Sequence, residues 1–223
     1  MLWFGFYLTE GSFPWLKEFG LRPRTLYGLI GIVTYPLLHS DLDHIVGNSI
    51  TAIVLLNIVF SFYRKIAWQV ILWSWLMSGT WMWVAARDGN HIGFSGVIYA
   101  LASFIFFSGM IRKYYRLMAL SGMIVFLYGS MIWGVLPMVP GVSWEGHLFG
   151  AIAGGILAYY YRERGPKRPK YSWEINPDEE TNLPWNQIEI PVKDDVEVVE
   201  KPLNYRYLFK KASRGSDESI PNK

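Results

Sequence analysis

Gly93-Phe94-Ser95-Gly96 opens an apolar run that continues to Met110, and the reading of this stretch decides the fold. A serine between small residues, at the mouth of a helix of membrane length, is an expensive place for a hydroxyl. At that depth in a bilayer a polar group marks a functional site or a partner. Ser95 therefore reads as a nucleophile held inside a membrane, with the other polar residues of the spans converging on it.

The wider chain agrees with a membrane reading. Its 223 residues are 52% hydrophobic and 17% aromatic, with 11 Trp, no cysteine and a formal net charge of +3. The absence of cysteine excludes disulfides, thiol catalysis and Cys-ligated metal. Apolar blocks of about 20 residues, the length a spanning helix needs, recur at His44–Phe62, Ile66–Ala86, Ile92–Ile111, Leu117–Leu136 and Trp144–Tyr161. Met1–Leu8 is too short to span and lacks the basic start and cleavage site of a signal peptide. It reads as the stub of a longer first helix or as an interfacial anchor. Ser12–Thr34 mixes Pro, Gly, Arg and aromatics, which suits a loop in the headgroup zone. Asn57 is expected to hydrogen-bond between helices, and the Trp-rich second block to serve as interfacial belt and packing surface.

Basic residues follow the first, third and fifth blocks: Arg64 and Lys65, then Arg112, Lys113 and Arg116, then Arg162, Arg164, Lys167, Arg168 and Lys170. Positive loops stay cytoplasmic, so these ends and the tail are expected inside. The organisation is an all-α polytopic membrane helix bundle over residues 1–162 and a polar cytoplasmic tail over 163–223. Tyr171–Lys223 is of mixed charge, with one short extended piece expected near Ile188–Val192.

With that topology His39, His44, His91 and His147, all four histidines of the chain, fall on the outer side near the depth of Ser95. His44 and Asn48 are spaced i, i+4 and share a helix face. Gly150 and Gly154 are small residues at four-residue spacing, which lets two membrane helices approach closely and would bring His147 to Ser95. A serine hydroxyl needs a base, and neutral histidine suits that role. His44, Asn48 and the Ser95 amide at a helix N-terminus could donate to a tetrahedral oxyanion.

At His39-x4-His44-x3-Asn48, Gly93-Phe94-Ser95-Gly96-Val97-Ile98-Tyr99-Ala100-Leu101 and His147-x2-Gly150-x3-Gly154, the chain resembles the rhomboid family of intramembrane serine proteases. Three motifs in correct order make the resemblance specific, and it covers roughly Leu21 to Tyr161. It implies a Ser95–His147 dyad, an oxyanion site from His44, Asn48 and backbone amides, and Tyr99 packed on His147. Supporting places fall to Gly93, Gly96, Gly150, Gly154 and His39. It also implies a multi-pass protein, with transmembrane or juxtamembrane segments as substrates, the bilayer as surroundings, and neither cofactor nor metal. A bacterial cytoplasmic membrane is the expected location, and no nucleic-acid partner is expected. Two departures stand out: only Met1–Leu8 represents the first helix of the family, and Leu26-Tyr27 replaces its Trp-Arg pair.

Singly, each residue has a plainer explanation. Ser95 alone suits helix packing, Asn48 an interhelical bond, and His44 or His147 an interfacial histidine. Their coincidence favours catalysis. Two other functions compete: a metallohydrolase using the outer histidines with Asp41, Asp43 or Asp88, and a non-catalytic relative that binds membrane proteins. Glu145 is two residues from His147, so the two side chains should point apart.

Overall fold

A computed structural model of the chain describes residues 2–127, 133–138 and 141–166. Among them are the helices α1 (Leu2–Tyr7), α2 (Gly28–Thr34), α3 (Leu42–Phe62), α4 (Ala67–Ala85), α5 (Ser95–Ile111), α6 (Tyr115–Leu127) and α7 (Trp144–Tyr160). No strand occurs among the described residues; one antiparallel bridge joins Leu21 to His91. Residues 128–132, within the fourth apolar block, and the whole Tyr171–Lys223 segment with Ile188–Val192, lie outside the described residues.

α3 begins where the Asp41 carboxylate accepts the His44 amide at 2.9 Å, an N-cap that satisfies one free donor of the first turn. Its buried residues Ile45, Asn48, Ala52, Leu55 and Val59 recur at three- and four-residue steps, the helical period. The opposite face is equally apolar, with Val46, Ile50 and Ile53 exposed. A helix apolar all round and not enclosed by protein is suited to lipid. Among the described residues α3 is the one helix long and apolar enough, by length and composition, to cross a membrane.

α3, α4 and α7 match their apolar blocks to within two residues at each end. α5 starts at Ser95 rather than Ile92. Gly93 takes φ +118 and donates its amide to the Tyr35 carbonyl at 2.8 Å, so the chain turns there before the helix can begin. Two expectations need correction. Ser12–Thr34 is not simply a loop, because it holds a 3-10 turn at Pro14–Phe19 and α2. The cause is tertiary: Trp75 Nε1 of α4 donates to the Ile32 carbonyl at 3.1 Å and Trp83 Nε1 to the Thr25 carbonyl at 2.9 Å. Among the described residues Asn57 likewise makes no interhelical bond; its exposed amide donates to the Ile53 carbonyl one turn back, at 2.7 Å. Its own helix supplies the acceptor.

α5 is central. Val97, Leu101, Phe104 and Ile105 are fully buried, with Leu117 of α6 and Ala158 of α7 in the same core. α7 lies against α5 with backbones in near contact. A Cβ built on Gly150 would stand 2.1 Å from the Gly96 carbonyl oxygen, and one on Gly154 would stand 2.1 Å from that of Ala100. Only glycine permits this approach. It sets the depth at which the first turns of the two helices meet.

Candidate active site

Ser95 is the first residue of α5 and His147 lies in the first turn of α7. The glycine contacts put these turns side by side, and His147 Nε2 lies 2.8 Å from Ser95 Oγ. The other ring nitrogen, Nδ1, lies 2.8 Å from the Gly134 carbonyl oxygen. A carbonyl only accepts, so Nδ1 carries the hydrogen of the neutral ring and Nε2 turns its lone pair toward the serine hydroxyl. Tyr99, one turn beyond Ser95, stacks on the imidazole with centroids 4.2 Å apart and planes within 9°. The ring of His147 is thus fixed in plane, in tautomer and in distance.

The His44 ring and the Asn48 amide border the same spot. A Cβ on Gly93 would stand 2.7 Å from His44 Nε2 and 3.7 Å from Asn48 Nδ2. Gly93 therefore leaves open a space that any side chain would fill, two residues before Ser95. Asn48 Nδ2 donates one hydrogen to His39 Nε2 at 3.0 Å, which leaves its second hydrogen for a ligand. His39 is fully buried, and the Phe94 amide also points at its Nε2, at 3.5 Å. Burial, then the neighbouring His44 ring, hold the His39 imidazole down to about 4, so it is a neutral acceptor. Ser40 Oγ donates its single hydrogen to Asp41 Oδ2 at 2.5 Å and lies 3.0 Å from His44 Nδ1. Nδ1 therefore donates to Ser40 Oγ, and His44 carries a hydrogen on Nε2 only as an imidazolium. The Ser40 hydroxyl and the His44 amide hold the Asp41 carboxyl below its ordinary range.

All ten singled-out residues, Ser95, His147, His44, Asn48, Tyr99, Gly93, Gly96, Gly150, Gly154 and His39, lie at or beside this site or along the α5–α7 contact that forms it. A small cleft adjoins Ser95, lined among others by Tyr35, Met82, His91, Gly93, Gly96 and Ser143. His91 reaches Ser143 rather than Ser95. Glu145 turns from His147 to Arg87, with Nε 3.2 Å from Oε1. Asp88 pairs with Arg24, and no group of three or more His, Asp or Glu side chains suited to a metal occurs among the described residues. The roles of the Gly134 carbonyl, Ser143 and Arg87 are missed by sequence reasoning. Ser143 carried one local sign, a hydroxyl residue directly before a helical run; a backbone carbonyl carries none.

A family model for the Rhomboid domain matches residues 27–164. Uncharacterized proteins of Mycobacterium tuberculosis (strain ATCC 25618 / H37Rv) and Mycobacterium bovis are each 32% identical over 151 residues, covering 63% of this chain and 62% of the relative. An uncharacterized protein of Mycobacterium leprae is 34% identical over 155 residues, covering 65% and 61%. The match thus spans about three-fifths of the length of these relatives. With the Rhomboid domain covering more than half of its length, the chain belongs to the rhomboid family, a membrane-embedded family of intramembrane proteases.

Proposed function

We propose that this chain is a multi-pass intramembrane serine endopeptidase, with Ser95 as nucleophile and His147 as general base. The observation that carries the reading is the 2.8 Å contact between His147 Nε2 and Ser95 Oγ, with Nδ1 tied to the Gly134 carbonyl. In the reaction Ser95 Oγ attacks the carbonyl carbon of a scissile peptide bond while its proton passes to His147 Nε2. The imidazolium then donates that proton to the leaving amine, and water repeats the cycle on the acyl-enzyme. The oxyanion forms beside Gly93, where the second Asn48 hydrogen donates to it, joined by His44 Nε2–H when that ring is protonated. No acidic third member is needed, because the Gly134 carbonyl already fixes the tautomer of His147.

Substrates are transmembrane or juxtamembrane segments of other membrane proteins, unwound to reach the half-buried serine. The basic ends at Arg64-Lys65, Arg112-Lys113 and Arg162-Arg164 lie at the opposite ends of their helices from the histidines. Cytoplasmic positive charge supports a site near the extracytoplasmic face, in a bacterial cytoplasmic membrane. A metallohydrolase has less support, since Asp41 caps α3 and Asp88 pairs with Arg24.

The test is cleavage of a fluorogenic transmembrane peptide by the purified protein in detergent, with Ser95→Ala and His147→Ala alongside. The expected result is wild-type cleavage lost in both variants and untouched by chelator. Cleavage by Ser95→Ala that a chelator stops would favour a metal site. No cleavage of any substrate by wild type would favour a non-catalytic binder.

A further inference from the structure

The start of α7 is held from outside rather than by its own cap. Ser143 occupies the N-cap position, where a serine hydroxyl ordinarily bonds back to the first amides of the helix. Here it makes no such bond. The hydroxyl instead meets His91 Nδ1 at 2.6 Å, while His91 Nε2 meets the Arg87 carbonyl oxygen at 2.9 Å. The carbonyl only accepts, so Nε2 carries the hydrogen and Nδ1 accepts that of Ser143.

The same short segment grips α7 at two more points. Arg87 Nη2 donates to the Val142 carbonyl, and Arg87 pairs with Glu145, whose side chain is 4% exposed. Glu145 Oε2 has no hydrogen-bond partner, so the whole carboxylate relies on Arg87. The helix contributes little of its own at this end, since the His147 amide reaches the Ser143 carbonyl only at 3.4 Å. His147 therefore stands on a turn that residues 87–91 brace in addition to the glycine contacts with α5.

We propose that His91 is a positioning residue: through Ser143 it fixes the first turn of α7 and holds the His147 imidazole in reach of Ser95. The inference rests on the dyad reading above. A displacement of about 1 Å at a reacting group can lower turnover by about 100-fold, so the effect belongs in kcat rather than in KM.

The test uses the full chain in lipid nanodiscs and a fluorogenic transmembrane peptide with a small residue at the scissile bond. Wild type is compared with His91→Leu, His91→Asn, Ser143→Ala and the His91→Leu/Ser143→Ala double variant. Asparagine keeps an acceptor oxygen near the place of Nδ1. His91→Leu and Ser143→Ala should each lower kcat by about 10- to 100-fold, with KM within about twofold. The double variant should be no slower than the worse single one, and His91→Asn should recover most of kcat. Should His91→Leu not fold, Ser143→Ala, which removes one oxygen atom, carries the test. Wild-type kcat in Ser143→Ala, multiplied losses in the double variant, or no rescue by asparagine would overturn the inference and leave the protease reading standing. A wild-type protein that cleaves nothing would overturn both.

Discussion

The α5–α7 pair is tied by polar groups at both ends, and the two ties are built differently. At the far end Arg112, the residue after α5, donates from Nη2 to the Tyr161 and Arg164 carbonyls and from Nε to Ser108 Oγ, which also accepts the Tyr63 hydroxyl. The donors there have fixed partners, and the charge cannot be removed at ordinary pH. At the near end the tie is a hydroxyl and an imidazole sharing one hydrogen, beside a half-buried opening. One end closes the structure, whereas the other holds a proton that can move. Substitutions at the Arg112 end should therefore change stability, and those at the Ser95 end should change rate.

The largest effect should come from the contact common to both ends. A side chain at Gly154 meets backbone rather than a movable side chain, at 2.1 Å. Overpacking usually costs about 1–3 kcal/mol, and immovable backbone puts this case at or above the top of that range. Gly154→Leu should yield little folded protein and no cleavage. A folded, active Gly154→Leu would break the helix-contact account. Next is Asn48→Ala, which removes one oxyanion donor and should lower kcat by up to about 100- to 1,000-fold. Unchanged turnover there would remove Asn48 from the site.

Arg112→Ala should do the reverse. Loss of its charged hydrogen bonds should destabilise the fold by about 1.5–3 kcal/mol, while kcat per folded molecule stays at the wild-type value. A loss of kcat larger than the loss of stability would show that the two ends are not separable. The smallest effect concerns acid. His39 is held at about 4 in the fold against roughly 6.5 in the unfolded chain, so acid protonates the unfolded state first. Its contribution to stability is complete above about pH 6.5 and is lost as pH falls toward about 4. The melting temperature in detergent should drop over that window, and His39→Gln should flatten the drop. Identical pH curves for the two proteins would contradict the neutral-acceptor role.

Sequence and structure agree where local chemistry dominates. The apolar blocks marked α3, α4 and α7 closely, and the His44/Asn48 and Gly150/Gly154 spacings marked two helix faces. Agreement fails where a partner distant in the chain decides. α2 and the turn before it are held by Trp75 and Trp83, 43 and 58 residues from their partners in sequence, and the late start of α5 depends on the Tyr35 carbonyl. The same holds inside the site. That Ser95 and His147 approach each other could be read from glycine spacing, but the Gly134 carbonyl that sets the tautomer has no side-chain signature. Glu145 shows in sequence only as a residue two places from His147, yet its pairing with Arg87 braces the turn beneath that histidine.

The most direct test is intact-mass and peptide-mass analysis of the protein after treatment with a fluorophosphonate, which labels only an activated serine. The account expects one phosphonyl adduct on the Ser95 peptide of wild type, formed about 100- to 10,000-fold more slowly in His147→Ala. Labelling at another serine, or at Ser95 with equal speed in the absence of His147, would contradict it.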